Sequence, residues 1–230
     1  MATHGSIARL YWHTYDFSAY TEGVEMAVTV DTDAGRPWGG PAIAVAGSAA
    51  TTFSLTGGPY ASGANAEEAW TRLSEDDEAR PLVYLPGGDV LGRLGWATLT
   101  LPNNMQVTVP QGAVRLPVGT VAAKRADLAR VLRALGSGGI SPSTGVDNGV
   151  ATTGGGAAYL YCLALDGDTL DVTVEDSANG ADWDTLVEMT TLTGIGSERK
   201  VITGTVRRHL RVSWDLDGTS ATWGLVFGRR

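Results

Sequence analysis

The chain has 230 residues with 25 acidic and 17 basic side chains, a net charge of -8. This balance argues against a nucleic-acid-binding protein, because such proteins neutralise phosphates with clustered lysine and arginine. Hydrophobic residues make up 43% of the chain and charged residues 18%, the latter below the roughly 25% usual in soluble domains, which excludes a disordered chain. The 31 glycines favour many turns between short strands. The composition therefore predicts a mainly β protein.

Two further features concern the compartment in which the chain is made. Cys162 is the single cysteine, so no intrachain disulfide can form. The first residues, MATHGSIARL, show neither the basic nor the apolar segment of a secretion signal. No apolar run approaches the roughly 18 residues that a bilayer requires. We therefore expect synthesis in a cytoplasm and no membrane insertion.

The N-terminal part of the chain begins with strand patterns. Residues 6–20 are rich in aromatic and branched side chains, with a predicted turn near Tyr15 and Asp16. Residues 22–31 then alternate strictly, which is typical of a half-buried strand. One face carries Val24, Met26, Val28 and Val30, and the other carries Glu25, Ala27, Thr29 and Asp31. The segment 33–50 is interrupted by glycines and prolines and predicts a loop too long for an ordinary hairpin.

A single clear helix is predicted after the next strand, which spans residues 51–56. Asn65 can cap it, with Glu68 three residues later as in a capping box. The helix ends before Pro81, and its apolar stripe consists of Ala66, Ala69, Trp70 and Leu73. Further strands are predicted at residues 82–85, 96–101, 105–109 and 114–122. The segment 124–135 is ambiguous: helical spacing of its leucines favours a helix, and a strand ending near Arg125 is the alternative.

A glycine-rich segment at 136–156 divides the chain in this interpretation. We predict an N-terminal domain at 1–135, a linker at 136–156 and an antiparallel β-sandwich at 157–230. Within the last part, Asp166-Gly167-Asp168 and Asp217-Gly218 predict turns between strands.

Motifs for catalysis, metals or cofactors do not occur in the sequence. His4, His13 and His209 are scattered, and no zinc, P-loop, dinucleotide or nucleophile-elbow spacing occurs. The Asp-Gly pairs superficially resemble calcium loops but lack the repeated oxygen ligands. We therefore expect no enzyme activity, no cofactor and no metal. Three tryptophans could stack sugars, although core packing is the more frequent role of aromatic residues in a sandwich: Trp183, Trp214 and Trp223.

Four stretches of the chain resemble the major tail proteins of long-tailed phages of actinobacteria. They are HGSIARLYWHTYDFSAYTEGVEMAVTVD, RPLVYLPGGDVLGRLGWATL, VDNGVATTGGGAAYLYCLALDGDTLDVTVEDSANGADWDTLVEM and ITGTVRRHLRVSWDLDG. The resemblance implies a tail-tube-like β-sandwich or barrel with one flanking helix, followed by the C-terminal sandwich. It also implies hexameric rings that stack into a tail tube, contact other tail proteins and let viral DNA pass through.

The resemblance also suggests where functional residues lie in a virion tail. Glu25, Thr29 and Asp31 would line an acidic lumen that does not retain DNA, and a solvent-facing strand is the other interpretation of the same alternation. Arg36 and Trp38 would lie in a loop between subunits. The C-terminal sandwich is similar to small carbohydrate-binding modules, so an adsorption or carbohydrate-binding module of a phage tail or capsid is the alternative function.

Overall fold

A computed structural model describes residues 7–18, 21–35, 43–57, 69, 73, 78–106, 118–123 and 126–230. These residues form thirteen strands joined mainly in antiparallel pairs, which confirms the predicted mainly β fold class. The strands are β1 (Arg9–Trp12), β2 (Tyr15–Asp16), β3 (Thr21–Gly35), β4 (Ile43–Gly57), β5 (Arg80–Leu85), β6 (Leu94–Gln106), β7 (Val118–Ala123), β8 (Asp127–Gly136), β9 (Val146–Asp147), β10 (Gly156–Ser177), β11 (Asp184–Glu188), β12 (Gly196–Ile202) and β13 (His209–Arg229).

Helical structure is described only at two positions of the predicted helix. Ala69 and Leu73 are helical and fully buried, as the apolar stripe of that helix requires. The predicted cap at Asn65 lies outside the described residues.

The chain divides into two compact units. Unit 1 consists of Met1–Ala19, Arg80–Thr98 and Asp127–Arg230, and unit 2 consists of Tyr20–Ala79 and Leu99–Ala126. These units differ from the predicted domains 1–135 and 157–230. The physical reason is that β8, before the glycine-rich segment, hydrogen-bonds to β13, after it. Both strands therefore belong to one sheet and one unit.

The frame of unit 1 is a long antiparallel ribbon made of β10 and β13. The two strands pair from Gly156 opposite Arg229 to Ser177 opposite His209, with register shifts between residues 162 and 169 of β10. Such bulges bend a strand pair. Leu160 from one half of the ribbon and Val172 from the other share a single buried cluster. The ribbon therefore folds back on itself and forms both layers of a sandwich.

The bend of the ribbon corrects the two turns predicted from Asp-Gly pairs. Gly167 and Gly218 are not in hairpin turns; they face each other in the middle of continuous strands. A Cβ placed on Gly218, whose φ is 151°, would lie 2.2 Å from the Cα of Gly167. The two backbones can approach this closely only because neither residue carries a side chain.

A second core lies on the other face of the first half of the ribbon. Residues 156–162 of β10 are all buried because both faces of this segment are covered. The hydrogen bond between His13 Nδ1 and Ser197 Oγ, 2.6 Å long, links the turn after β1 to β12. The second core contains Tyr11, Val83, Leu85, Ala97, Ala129, Val131, Ala157, Tyr159, Tyr161 and Val226.

The predicted helix at 124–135 is wrong over its described part. Asp127–Gly136 is strand β8, which pairs with β6 on one side and β13 on the other. Val131 belongs to one core and Leu132 to the other, so successive residues point to opposite faces as in a strand. Leu128, which a helix would bury, is 51% exposed. Pairing on both edges therefore overrides the helical spacing.

The turn predicted at Tyr15 and Asp16 is also displaced along the chain. These two residues form β2, opposite Trp12 and Tyr11 of β1. The turn itself lies at His13, which has a positive φ of 56°.

The glycine-rich segment 136–156, predicted as a linker, is hydrogen-bonded to unit 1 at several points. The amide of Ser143 donates to the carbonyl of Val212, and β9 pairs with the start of β13. Thr152 and Val206 exchange two backbone hydrogen bonds. The segment therefore follows the surface of unit 1 instead of separating two bodies.

Unit 2 is organised around the hairpin of β3 and β4, each fifteen residues long. β4 also pairs with β7 between Thr51 and Leu55, and β7 pairs with β6. Phe53 and Leu55 of β4 are fully buried. The end of the hairpin near Gly57 therefore belongs to a larger sheet, and its apolar side chains are buried.

The double glycine at the bend should be sensitive to a single methyl group. We expect Gly218→Ala to lower the free energy of unfolding by about 1–3 kcal/mol, because the new Cβ would overlap Gly167 at a positive φ. Urea denaturation measures the change. Gly138→Ala is the matched control, since nothing lies within 4 Å of its Cβ position. Equal stability of the two variants would contradict this account of the bend.

Candidate assembly surfaces

The exposed face of β3 is the first candidate surface. Glu25 and Thr29 are exposed, whereas Val24 and Met26 are half-buried opposite Leu55 and Phe53. The predicted alternation is therefore present at these positions. Val28, which it placed on the apolar face, is 54% exposed opposite Thr51.

The remaining predicted site residues are described only in part. Asp31 belongs to β3, but its side chain is not among those the structure describes. Arg36 and Trp38 lie outside the described residues. Neither the lumen role of the polar face nor the contact role of the loop is tested, and both stay predictions.

In the distal half of the β3–β4 hairpin, neither outer edge pairs with a third described strand. Between Thr29 opposite Ala50 and Gly35 opposite Ile43, the two strands pair with each other and with no third described strand. This part is about 20 Å long at roughly 3.4 Å per residue. An isolated two-stranded ribbon is marginally stable in water, and its open edges can accept another strand.

Unit 1 contains a buried carboxylate that holds the end of β13 against the start of β8. The carboxylate of Asp127 accepts hydrogen bonds from Arg230 Nε at 3.0 Å and Nη2 at 3.1 Å, and from the hydroxyl of Tyr159 at 2.5 Å. Arg199 Nη2 lies 3.7 Å from the same carboxylate, and Arg199 Nε donates to Tyr159 at 3.0 Å. Its charge is thus compensated by two guanidinium groups.

Arg133 forms a second buried polar cluster. Its guanidinium lies 3.9 Å from the ring centre of Trp223 and 5.0 Å from that of Trp214. It donates to backbone carbonyls, among them Trp223 and Gly138, the latter at 2.6 Å. Burial lowers the pKa of Arg133 to about 10, so the group is charged at neutral pH. Arg133 thereby attaches the glycine-rich segment to the sandwich.

Asp89 is the third polar group in the interior of unit 1. Its Oδ2 accepts hydrogen bonds from the Tyr11 hydroxyl at 3.0 Å and from the amide of Leu135 at 2.7 Å. Its Oδ1 is buried and has no hydrogen-bond partner among the described residues, and the same holds for the hydroxyl of Tyr161, whose ring stacks on Tyr11. Burial raises the pKa of Asp89, although its hydrogen bonds act in the opposite direction.

The three tryptophans do not form an open platform for sugars. Trp223 is buried in the sandwich core. Trp214 is half-buried beside Arg133, and the ring of Trp183 is faced by the guanidinium of Arg211 at 4.3 Å. Each of these contacts occupies one face of its ring.

The described part of the chain contains no group of three or more side chains arranged to hold a metal ion. Among the same residues, no helix is long and apolar enough to cross a membrane.

The buried polar clusters were not predicted from the sequence. Asp127 and Arg133 were placed in a helix, where a charged residue is normally solvated. With the segment correctly taken as a strand, Asp127, Ala129 and Val131 point to one side, and the alternation itself would have indicated an inward carboxylate.

No protein-family model matches the chain, and no curated protein matches it in sequence. Among solved structures, it is similar to the Dit protein of phage SPP1, described as a hub adsorption apparatus of phages that infect Gram-positive bacteria. That match has 9% identity, covers 96% of this chain and 98% of that chain, and has a TM-score of 0.38.

A second match is to the activated, calcium-containing baseplate of phage P2. It has 9% identity, covers 97% of this chain and 99% of that chain, and has a TM-score of 0.35. The crystal structure of PirA matches 44% of this chain and 84% of that chain, with 10% identity and a TM-score of 0.27. These scores are too low to establish a shared fold.

The half-buried carboxylate of Asp89, whose Oδ1 is fully buried, should make stability depend on pH. Because its folded-state pKa is raised, the folded chain holds the proton more tightly than the unfolded chain. This contribution to stability is complete below the unfolded-state pKa and is lost as pH rises through the folded-state pKa. Asp89→Asn keeps an oxygen acceptor and has no proton to lose. We therefore expect it to unfold at higher urea than the wild type at pH 7, with the difference shrinking as pH falls.

Urea unfolding of both proteins, from pH 7 to lower pH, measures the difference in their free energies of unfolding. Taking the difference cancels the contributions of the other carboxylates, which the two proteins share. Glu188→Gln, at an exposed position, is the control. A difference between Asp89→Asn and wild type that does not vary with pH would contradict the prediction.

Proposed function

We propose that the chain is a structural protein of a phage tail that assembles with copies of itself into stacked rings forming the tail tube. The observation that carries the proposal is the distal half of the β3–β4 hairpin, which pairs with no third strand in the described part of the chain. The resemblance of the sequence to phage major tail proteins supports the same assignment.

The hairpin is suited to contact a neighbouring subunit. Its strands offer unpaired backbone donors and acceptors along the open edges, and strand addition satisfies such groups without new side-chain chemistry. Val28, at the point where β4 ceases to pair with β7, is apolar and exposed. A neighbouring copy would cover this side chain and complete the sheet.

The polar face of β3 fits a channel wall. Glu25 and Thr29 are exposed on the same face of the strand, and an acidic or neutral wall lets DNA pass because phosphates are held mainly by lysine and arginine. Viral DNA is thus a transient partner in this proposal, and other tail proteins are partners at the ends of the tube.

The alternative function, an adsorption or carbohydrate-binding module, would use the sandwich of unit 1. Arginine groups face the rings of Trp183, Trp214 and Trp223, and Trp223 is also buried. This arrangement favours a supporting role for these rings over sugar stacking.

Assembly should be weakened by a charge at the base of the free part of the hairpin. We expect Val28→Asp to raise the protein concentration needed for half-maximal assembly by about tenfold, roughly 1.4 kcal/mol, because burial of the new carboxylate opposes contact. Sedimentation velocity and electron microscopy of negatively stained samples measure this shift. Val150→Asp is the control, because it makes the same substitution at a valine that is 72% exposed in unit 1. Unchanged assembly of Val28→Asp would exclude the hairpin as the contact.

A further inference from the structure

One face of β6 and β8 in unit 1 presents apolar side chains to solvent. The register pairs Leu94 with Arg130 and Trp96 with Leu128, so these four side chains lie on the same face. Leu94 is 44% exposed and Leu128 is 51% exposed. The residues between them, such as Ala129, point to the opposite face and are buried. The opposite face of these strands therefore packs in the interior, while this face is exposed to solvent.

Two arginines lie at the edge of this face, and neither forms an ion pair with a carboxylate in the described part of the chain. Arg130 is opposite Phe227 of β13, and Arg229, two residues further along β13, points to the same side. Burial lowers the pKa of Arg229, and the nearby charge of Arg130 lowers it further. No ion pair joins either arginine to a described acidic residue.

The hydrogen bonds of these arginines leave a donor free. Arg130 donates to the carbonyl of Gly92 at 2.9 Å, and Arg229 Nη2 donates to the carbonyl of Val206 at 3.1 Å. The Nε of Arg229 is buried and has no partner among the described residues. A buried guanidinium donor without an acceptor is costly. A carboxylate beside the accessible parts of the two guanidinium groups would lie between the two positive charges and compensate them. We call the group Leu94, Trp96, Leu128, Arg130 and Arg229 the arginine patch.

The same unit carries a complementary group at the bend of the β10–β13 ribbon. Four aspartates are exposed there and form no ion pair with any described residue: Asp166, Asp168, Asp215 and Asp217. We call them the acidic bend. Arg229 lies at the far end of β13 from this bend. Strand β13 thus carries exposed negative charge near its middle and positive charge at its end, neither of them in an ion pair among the described residues.

We propose that the arginine patch docks the acidic bend of a second copy of the chain, with a carboxylate between Arg130 and Arg229 and apolar contact over Leu94 and Leu128. Because the two surfaces differ, the contact is head-to-tail and can continue from copy to copy. Contact of two arginine patches with each other would bring four guanidinium groups together and is disfavoured. The inference rests on the proposed self-assembly and names a contact for it outside the hairpin.

A charge-swap experiment on the full chain tests the contact. We expect Arg130→Asp alone and Asp217→Arg alone each to raise the concentration for half-maximal assembly about tenfold, and the double variant to return it to within about threefold of wild type. Sedimentation velocity at low and high salt measures this, and higher salt should weaken the wild-type contact. Glu188→Arg, an exposed reversal outside both surfaces, is the matched control.

Replacing Arg130 also removes its hydrogen bond to the carbonyl of Gly92, and that loss could disturb folding. A second variant therefore tests the contact without changing Arg130. Leu128→Ser changes only an exposed side chain, and we expect it to weaken assembly about threefold without lowering the thermal midpoint of unfolding. Ile140→Ser, at a residue that is 86% exposed, is its control.

The outcomes separate this contact from the proposed function. Absence of any self-association of the wild type would overturn both. Association that is weakened by Val28→Asp and unaffected by the patch variants would overturn the arginine patch alone. Weakening by both single reversals without recovery in the double variant would also overturn it, because the patch would then contact something other than the acidic bend.

Discussion

The constraint on which unit 1 depends is the folding back of one strand pair at two opposed glycines. Gly167 and Gly218 let the β10–β13 ribbon bend with its backbones in contact. The halves of the ribbon then enclose the sandwich core, while the outer face of the first half covers the second core. Since Gly156–Cys162 is buried on both faces, both cores depend on the same seven residues. Burial on both faces also explains why this segment is almost entirely apolar.

Charged groups hold the ends of this frame together. Asp127 joins the start of β8 to Arg230 after β13, and Arg133 attaches the chain following β8 to Trp223 in β13. Each charge is compensated inside the protein: the carboxylate by guanidinium groups, and the guanidinium by carbonyls and aromatic faces. Removing one partner of such a group leaves the other buried and unpaired. The resulting loss of stability is much larger than the net stability that the intact pair contributes. Asp89 is different, because its Oδ1 has no hydrogen-bond partner in the part of the chain that the structure describes.

Local patterns in the sequence predicted the features that depend on residues close together in the chain. The mainly β class followed from composition, the alternation of Glu25 and Met26 followed from period two, and the helical state of Ala69 and Leu73 followed from a cap and an apolar stripe. Predictions that required long-range pairing were wrong. The leucines of β8 have helical spacing, and only hydrogen bonds to β6 and β13 make the segment a strand. Gly167 and Gly218 are ordinary turn signals until they are placed opposite each other, fifty-one positions apart by their residue numbers.

We propose self-assembly from the open edges of the β3–β4 hairpin and from the resemblance of the sequence to phage tail proteins. Electron microscopy of the purified full-length chain over a wide range of concentrations tests this claim most directly. The account predicts rings at moderate concentration and stacked rings or tubes at high concentration, with sedimentation showing the corresponding large species. A single monomeric species at every concentration, with no rings in the micrographs, would contradict it.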